Sequence, residues 1–594
     1  MRLSTKDTKS AKRQEQMLST KIVTDQQQTK MNGPRRSPSP LLSWSSFSSC
    51  FSSCPSCTSW IFAFLGSVLL WAALPPVDWW PLAWIAPLPW VLLIRREQLS
   101  GRRPYAVLTL AGFCFWMGVL HWLRLPHPAT SIGWVALSFY FAFYLPVFVG
   151  LSRVAVHRLR MPVILAAPIV WTGLELARSH LLTGMSMASL GHTQYCWVQL
   201  IQLSDLAGAY GVSFVVMFVA ACLARMVPCD GSRWAFWPLA PALAVLAGAL
   251  FYGQERMGTE SGQPGPRIAL IQGSIDIQFG EPDPRSVQDR MFKEYFDLSR
   301  KAVEGDRRVE LIVWPESMFP WPLLTFDPKA AKPSWYPRSE ADFRNWLPQE
   351  AASSPSIMAQ LAKQLGVPLL LGLGSYHLGV DGERGCNSAV YVGRDGKLVG
   401  QYDKIHLVMF GEYTPLVESC SWLRHFTPLT GNAAPGDKSV AFDVGRVRVT
   451  PSICYESVLS HVIRRQINAL TAEGKEPDVL INLTNDGWFW GSSELDLHLA
   501  CGVFRAVECR KPFLIAANTG FSAWIDGDGR IREQGPRHAP AVIVAQPRFD
   551  RRHSWYLAHG DWFAGGCLAV CGLCGLVGIY GRMRNAPATG LGNS

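Results

Sequence analysis

Eight apolar runs constrain this chain more than any other feature of its sequence. A helix that crosses the hydrocarbon core of a bilayer needs about 20 mostly apolar residues, so the shorter runs are marginal when taken singly. A helix in a soluble protein normally keeps a polar face, and these runs have almost none. The sequence therefore predicts a membrane domain with eight transmembrane helices. The runs are 59–74, 79–94, 105–123, 132–152, 162–177, 208–226, 235–252 and 563–580.

The basic residues between the runs predict the orientation of the chain in the membrane. With the N-terminus in the cytoplasm, twenty Lys and Arg residues flank the runs on that side, and only Arg124 and Arg178 lie in the short loops opposite. Lys and Arg accumulate on the cytoplasmic side of membrane proteins. We therefore expect both termini in the cytoplasm and the hydrophilic block on the other side. The excess of 56 Lys and Arg over 45 Asp and Glu is then mainly a topology signal, and no nucleic-acid binding is expected.

The runs divide the chain into four parts. Residues 1–57 are polar and serine-rich, a composition that buries too little apolar surface to fold, so we expect a disordered cytoplasmic tail. A seven-helix membrane domain follows at 58–253 and the hydrophilic block at 254–556. The eighth helix and a cytoplasmic C-terminal tail occupy 557–594.

Strand-like and helical patterns alternate in the hydrophilic block. Helical patterns lie near 283–304, 357–365 and 495–509, and turns at 394–396 and 526–529 indicate two hairpins. The mixture predicts an α/β sandwich in layers. A segment rich in Pro, Trp and charge, 323–350, is expected to be an insertion loop. The strand-like runs are 268–272, 311–314, 368–372, 389–392, 447–453, 479–483, 513–517 and 541–545.

Three polar side chains follow strand-like runs, where catalytic groups are commonly mounted. They are Glu316, Lys404 and Cys454, and Glu412 lies eight residues after the lysine. A helix start and a nearby Lys would favour a Cys454 thiolate, and a carboxylate could accept the thiol proton. Each residue also has an ordinary interpretation as a helix cap, a surface charge or a small buried side chain. Spacing alone does not bring the three together.

Five motifs resemble a known family. They are Trp-Pro-Glu-Ser at 314–317, Tyr-Asp-Lys-Ile-His-Leu-Val-Met-Phe-Gly-Glu-Tyr at 402–413, Ile-Cys-Tyr-Glu at 453–456, Asn-Asp-Gly-Trp-Phe at 485–489 and Arg-Ala-Val-Glu at 505–508. Together they resemble the nitrilase superfamily and, more closely, its membrane branch, the apolipoprotein N-acyltransferase family. The resemblance covers about residues 59–582. It implies eight transmembrane helices and an extracytoplasmic αββα sandwich that is nitrilase-like.

The resemblance also implies a role for each candidate residue. Cys454 would be the nucleophile, Glu316 the general base and later the general acid, and Lys404 the cation that orients the pair and stabilises the oxyanion. Because thiol, carboxylate and ammonium supply this chemistry, no metal or other cofactor is expected.

Further positions would support the site. Glu412 would hold the catalytic cluster, the backbone N–H of Tyr455 would complete the oxyanion hole, and Glu456 matches a family position that is needed for function. His406 and His498 are expected to be structural.

The implied reaction has two steps. Cys454 takes an acyl chain from a membrane phospholipid as a thioester, and the α-amino group of an N-terminal S-diacylglyceryl cysteine on an apolipoprotein then accepts it. The partners are thus a phospholipid donor, a diacylglyceryl apolipoprotein acceptor and membrane lipid. We expect a monomer in the bacterial cytoplasmic (inner) membrane, with its catalytic domain on the periplasmic side.

The sequence departs from the family pattern at two places. Gln278–Pro282 stands where the family usually has a Lys-Trp pair, which leaves Phe279 as a weak candidate for the missing lid aromatic, and Met409 replaces a usual Pro.

Two other functions stay open. A membrane-bound hydrolase of the nitrilase or amidase type would use the same cysteine with water as acceptor. A transporter would need polar residues inside its spans, and Glu175 and Arg178 are the best candidates, although an interfacial pair is the simpler interpretation.

Overall fold

The computed structural model describes residues 55–584, apart from 230–232, 258–262, 277–283, 306–307, 418 and 421–431. The predicted N-terminal tail therefore lies outside the described residues, except for its last three, which begin the first helix. The segment Gln278–Pro282, where the lid aromatic was expected, lies outside them too.

Helices occupy all eight apolar runs. In the second run, Pro81 and Pro87 divide the backbone into a 3-10 helix and a short α-helix, because proline has no N–H to continue a preceding turn. By length and composition, three helical segments are long and apolar enough to cross a bilayer: Thr130–His157, Ala209–Met226 and Trp562–Arg584. The helices are α1 (Pro55–Ala72), α2 (Leu88–Arg95), α3 (Pro104–Val119), α4 (Thr130–Ala142), α5 (Tyr144–His157), α6 (Val163–His180), α7 (Ala209–Met226), α8 (Leu239–Arg256) and, after the hydrophilic block, α13 (Trp562–Arg584).

The hydrophilic block contains two β-sheets. Its strands are β1 (Ile268–Gln272), β2 (Leu311–Trp314), β3 (Leu323–Phe326), β4 (Leu369–Gly379), β5 (Gly382–Val392), β6 (Leu398–Asp403), β7 (Phe442–Val444), β8 (Val447–Ile453), β9 (Val479–Thr484), β10 (Phe513–Ala517), β11 (Ala523–Ile525), β12 (Ile531–Gln534) and β13 (Ala541–Ala545). One sheet has the order β13-β1-β2-β4-β5-β6, with β3 paired to β4, and the other has the order β12-β11-β10-β9-β8-β7. The central pairs β1–β2, β2–β4, β8–β9 and β9–β10 are parallel. The two predicted hairpins are confirmed as the antiparallel pairs β5–β6 and β11–β12.

The two sheets pack face to face, with helices on both outer surfaces. Leu270 and Val313 of the first sheet share a buried cluster with Val449 and Ile481 of the second. The first sheet is covered by α9 (Pro284–Glu304) and α10 (Glu340–Leu365). The second is covered by α11 (Ser460–Ala472) and α12 (Glu494–Cys509). The nitrilase-like αββα sandwich is therefore confirmed.

The expectation of an insertion loop at 323–350 is wrong. The segment begins with strand β3, and α10 starts at Glu340 rather than near 357. Ser339 caps this helix by accepting a hydrogen bond from the backbone N–H of Asp342, as N-cap serines do. Tyr336 and Phe343 form a small core with Ala330, Leu347 and Leu378, and Trp346 packs against it, whereas Trp335 is 53% exposed.

The outer helices of the second sheet also pack against the membrane helices. Val503 of α12 lies in one buried cluster with Val212 and Val215 of α7. The backbone N–H of Ala209 donates to Glu508 Oε1 at 2.9 Å. This contact fixes the sandwich against the membrane part of the chain.

Candidate active site

The three candidate side chains all stand where a strand ends. Glu316 lies two residues after β2, Lys404 directly after β6 and Cys454 directly after β8. The first two strands belong to one sheet and the third to the other. The facing sheets therefore bring together residues that are far apart in sequence.

Lys404 is the centre of a buried charge cluster. Its Nζ lies 2.9 Å from Glu412 Oε1 and 3.4 Å from Glu316 Oε1. Its side chain is 1% exposed. A buried ammonium requires close anionic partners, and two carboxylates supply them.

Two asparagines that the sequence did not single out complete the cluster. Asn387 Nδ2, on β5, donates to Glu316 Oε1 at 2.6 Å and to Glu412 Oε1 at 3.0 Å. The backbone N–H of Asn485 donates to Glu316 Oε2 at 3.0 Å. A polar side chain two residues before the apolar run Ala389–Val392 was the signal available for Asn387.

The pKa values of the cluster follow from burial and charge. Burial raises the pKa of Glu316, and the positive charge of Lys404 lowers it without reversing the shift. Burial also acts to raise the pKa of Glu412, but Lys404 and hydrogen bonds hold it below the usual value. Burial alone would lower the pKa of Lys404, and the two carboxylates raise it well above the usual value instead. Lys404 is thus a permanent cation, and Glu316 is the more basic of the two carboxylates.

Cys454 occupies a strained backbone position. Its φ of 51° lies in the left-handed region, which costs a non-glycine residue about 1–3 kcal/mol and is often found at functional sites. The 3-10 helix Cys454–Val458 starts at this residue. The carbonyl of Cys454 accepts hydrogen bonds from Ser457 Oγ at 3.0 Å and Asn482 Nδ2 at 3.2 Å, so the turn is held in place from two sides.

The surroundings of Cys454 oppose the thiolate that a helix start and a nearby lysine would favour. Burial raises the pKa of the Cys454 thiol well above its usual value, and the negative charge of Glu316 raises it further. Lys404 lowers this pKa but does not outweigh the other two effects. The resting thiol is therefore neutral, and it lies where the charges of Glu316, Lys404 and Glu412 all act on it.

Glu456 ties the turn after β8 to the loop after β6. Its Oε1 accepts from the backbone N–H groups of Ile405 at 2.8 Å and His406 at 3.0 Å, and its Oε2 accepts from that of Ile453 at 2.7 Å. The hydroxyl of Tyr402 also donates to this carboxyl group, at 2.8 Å and 2.9 Å. Burial raises the pKa of Glu456, and the backbone donors oppose that shift. One side chain thus sets the position of Lys404 relative to Cys454.

Tyr455 joins the turn that begins at Cys454 to the loop after α6. Its hydroxyl donates to the carbonyl oxygen of Gly184 at 2.7 Å, and its ring stacks on that of His406 with centroids 6.3 Å apart. Ser186 donates to the carbonyl oxygen of Val458. The loop after α6 therefore contacts the candidate site directly.

Glu175 and Arg178, the two polar candidates in the membrane helices, hold that same loop. Glu175 Oε1 accepts from Trp171 Nε1 at 2.9 Å and from the backbone N–H of Leu190 at 2.8 Å. Arg178 Nη2 donates to Ser189 Oγ at 2.9 Å. Both side chains are buried and have structural partners.

Comparison with known proteins decides the family. The apolipoprotein N-acyltransferase N-terminal domain matches residues 66–222, and the carbon-nitrogen hydrolase domain matches residues 267–556. The chain is 33% identical to an apolipoprotein N-acyltransferase of Rhodopirellula baltica, over 85% of this chain and 95% of that protein. It is also 33% identical to one of Geobacter metallireducens, over 86% and 93%. The chain belongs to the apolipoprotein N-acyltransferase family. The resemblance predicted from the motifs is confirmed.

Solved structures are similar to about half of the chain. An amidase from Nesterenkonia sp. is 16% identical, with a TM-score of 0.32, over 50% of this chain and 95% of that one. The carbon-nitrogen hydrolase match at 267–556 spans the two-sheet sandwich, so the family's hydrolase domain is the part that carries Glu316, Lys404 and Cys454.

Proposed function

We propose that this protein transfers a fatty acyl chain from a membrane phospholipid to the α-amino group of the N-terminal S-diacylglyceryl cysteine of apolipoproteins. The observation that carries the proposal is the buried cluster of Glu316, Lys404 and Glu412 beside a strained Cys454, in a chain of the apolipoprotein N-acyltransferase family. The protein acts as a monomer and needs no cofactor for this chemistry.

The first step acylates Cys454. Glu316 accepts the thiol proton as the sulfur attacks the ester carbonyl of the phospholipid, and a raised pKa suits this carboxylate to the task. Negative charge develops on the carbonyl oxygen, where Lys404 and the backbone N–H of Tyr455 stabilise it. The C–O bond then breaks, Glu316 protonates the leaving alcohol, and a lysophospholipid departs.

The second step transfers the acyl chain to nitrogen. The free α-amino group of the lipoprotein attacks the thioester carbonyl, Glu316 takes a proton from the nitrogen, and the thiol leaves as it regains that proton. An amide forms and Cys454 is regenerated. Glu412 holds Lys404, and Glu456 holds the loop and the turn that carry the lysine and the cysteine.

The membrane arrangement follows from the same proposal, because both substrates are anchored by lipid and exposing each CH₂ would cost about 0.8 kcal/mol. We propose seven transmembrane helices at 58–253, the catalytic domain at 254–556 on the periplasmic side, and the eighth transmembrane helix at 557–594, with both termini in the cytoplasm. A helix in each apolar run and the distribution of basic residues support this topology.

A membrane-impermeant thiol reagent should label Cys introduced at exposed Lys475 from the periplasmic side, and labelling only from the cytoplasm would reverse the assignment.

The hydrolase alternative keeps the same nucleophile, because the catalytic block matches the carbon-nitrogen hydrolase domain. The purified protein in detergent, given phosphatidylethanolamine and a diacylglyceryl lipopeptide, should release lysophospholipid and N-acylated peptide in equal amounts. Cys454→Ala should lose both products by at least about 10⁴-fold, since nothing replaces the nucleophile. Steady release of free fatty acid without peptide acylation would establish the hydrolase instead.

A further inference from the structure

A second buried cluster lies beside the nucleophile turn. Asp486 follows β9, and Glu494 and His498 lie one turn apart on α12. One ligand atom from each lies within 4.8 Å of the others. His498 Nδ1 is 3.3 Å from Asp486 Oδ1 and 3.9 Å from Glu494 Oε1. Each residue is 3% exposed.

Apart from His498, which is cationic only when protonated, the carboxylates of this cluster have no cationic partner among the described residues. In that part of the chain no Lys or Arg forms an ion pair with either one, and Glu494 Oε2 is buried with no hydrogen-bond partner. A buried carboxylate oxygen without a partner is expensive. It indicates that the partner of this oxygen is a bound group and not a side chain of the protein.

The hydrogen bonds around the cluster orient its donor atoms inwards. His498 Nε2 lies 2.7 Å from Ser457 Oγ, and Ser457 donates its proton to the carbonyl of Cys454 at 3.0 Å. Nε2 therefore carries an imidazole proton, and Nδ1 faces the two carboxylates. Thr484 Oγ1 donates to Asp486 Oδ1 at 2.8 Å. A histidine fixed through its other nitrogen and a hydrogen-bonded carboxylate are the usual outer contacts of metal ligands.

We propose that Asp486, Glu494 and His498 bind one divalent transition-metal cation of the Zn²⁺ type. Zn²⁺ accepts imidazole nitrogen and carboxylate oxygen at about 2.0–2.2 Å, which separates tetrahedral ligand atoms by about 3.4 Å; His498 Nδ1 lies 3.3 Å from Asp486 Oδ1 and 3.9 Å from Glu494 Oε1. Mg²⁺ and Ca²⁺ prefer all-oxygen sites. The imidazole therefore favours a transition metal.

The ion has a structural role and takes no part in acyl transfer. It links the first turn of α12 to the turn after β9, and through His498 and Ser457 it supports the backbone of Cys454. The site does not rest on the proposed acyl-transfer function.

Metal content tests the site directly. The full-length protein in detergent is stripped with a chelator, incubated with excess Zn²⁺, desalted and assayed by mass spectrometry for metals. The wild type should retain about one Zn²⁺ per chain, and Glu494→Gln and His498→Gln should retain less than a tenth of that. Asp496→Asn is the matched control, because Asp496 lies between the two ligands in sequence but pairs with Arg537 at 2.6 Å; it should bind as the wild type does. No uptake by the wild type, or equal uptake by Glu494→Gln, overturns the proposal.

Thermal unfolding distinguishes the metal from a shared proton. Added Zn²⁺ should raise the unfolding midpoint of the stripped wild type by several degrees, because a ligand that binds only the folded state stabilises it, and should leave that of Glu494→Gln unchanged. If Asp486 and Glu494 instead share a proton, Glu494→Gln keeps the hydrogen bond. The stripped wild type would then show no response to Zn²⁺, which overturns the proposal.

Discussion

Burial and nearby carboxylates oppose the charge of Lys404 at Cys454, and their balance decides the resting state of its thiol. Loss of solvent and the nearby carboxylates raise the pKa of its thiol, and Lys404 does not reverse the shift. The proposed nucleophile is thus a neutral thiol in the resting enzyme, and it ionises only as Glu316 takes its proton. Reactivity is then governed by the basicity of Glu316 rather than by a standing thiolate.

The pH profile of Glu412→Gln tests this coupling. Acyl transfer needs the Glu316 carboxylate, so the rate should fall as the pH drops through a pKa that lies above that of an ordinary Glu. The negative charge of Glu412 contributes to that elevation. Its removal should move the acid limb of kcat/KM down by about 1 pH unit. Glu473→Gln, at an exposed ion pair, should leave the limb in place; an unmoved or raised limb in Glu412→Gln would contradict the coupling.

Sequence reasoning located the candidate side chains but not their environment. Glu316 and Cys454 were recognisable because each follows an apolar strand, and Lys404 because it follows a predicted hairpin; all three lie in family motifs. Asn387 was not, because its contacts with Glu316 and Glu412 depend on the pairing of β5 in the sheet. The burial of the thiol could not be predicted either, because a sequence shows that a helix begins but not how completely its first residue is desolvated.

Between elements, one buried carboxyl group sets the relation of two loops. Glu456 lies on the turn after β8 and accepts hydrogen bonds from backbone groups on both sides of the site. The loop that presents Lys404 therefore moves with the turn that presents Cys454. This contact holds the ends of β6 and β8 in a fixed position relative to each other.

Glu456→Gln should disturb that arrangement. An amide offers one acceptor oxygen where the carboxyl offers two, so at least one backbone N–H loses its partner. We expect the free energy of unfolding to fall by about 2–3 kcal/mol and kcat to fall by about 10²-fold with little change in KM, since small misplacements of reacting groups have effects of that size. Tyr402→Phe keeps the backbone bonds and should lose about 1 kcal/mol. Unchanged kcat in Glu456→Gln would show that the contact does not position the site.

At the level of elements, regular patterns predicted the structure well and composition did not. The runs 268–272, 311–314, 447–453, 513–517 and 541–545 match their strands residue for residue, because continuous apolar stretches suit a sheet buried on both faces. The prediction of a loop at 323–350 was wrong because prolines and charges in the sequence obscured a capped helix that buries Phe343.

Over the whole molecule, the sandwich and the membrane helices form one packed unit. Arg510 contacts Asp205 Oδ2 at 2.6 Å, and their side chains are 0% and 1% exposed. The nucleophile turn also contacts the loop after α6. The candidate site is thus assembled against the part of the chain proposed to lie in the bilayer.

Arg510→Met should weaken this contact between Arg510 and Asp205. Asp205 keeps Arg256 as a cationic partner at 2.5 Å, so the expected cost of about 2–3 kcal/mol comes from the buried charged hydrogen bonds that Arg510 makes with Asp205 and Gln202. Thermal unfolding in detergent should show a large loss of stability. Lys475→Met, which removes the cation of an exposed pair with Glu473, should cost less than about 1 kcal/mol. Equal effects of the two substitutions would argue against such a contact at Arg510.

The most direct measurement is intact-protein mass spectrometry after incubation with phosphatidylethanolamine alone. Without an acceptor amine, the wild type should gain the mass of one fatty acyl group minus one hydrogen atom, peptide mapping should assign it to Cys454, and hydroxylamine should remove it. Adding diacylglyceryl lipopeptide should discharge it as N-acylated peptide. An acyl group on another residue, or acylated peptide formed by Cys454→Ala, would contradict a thioester at this cysteine.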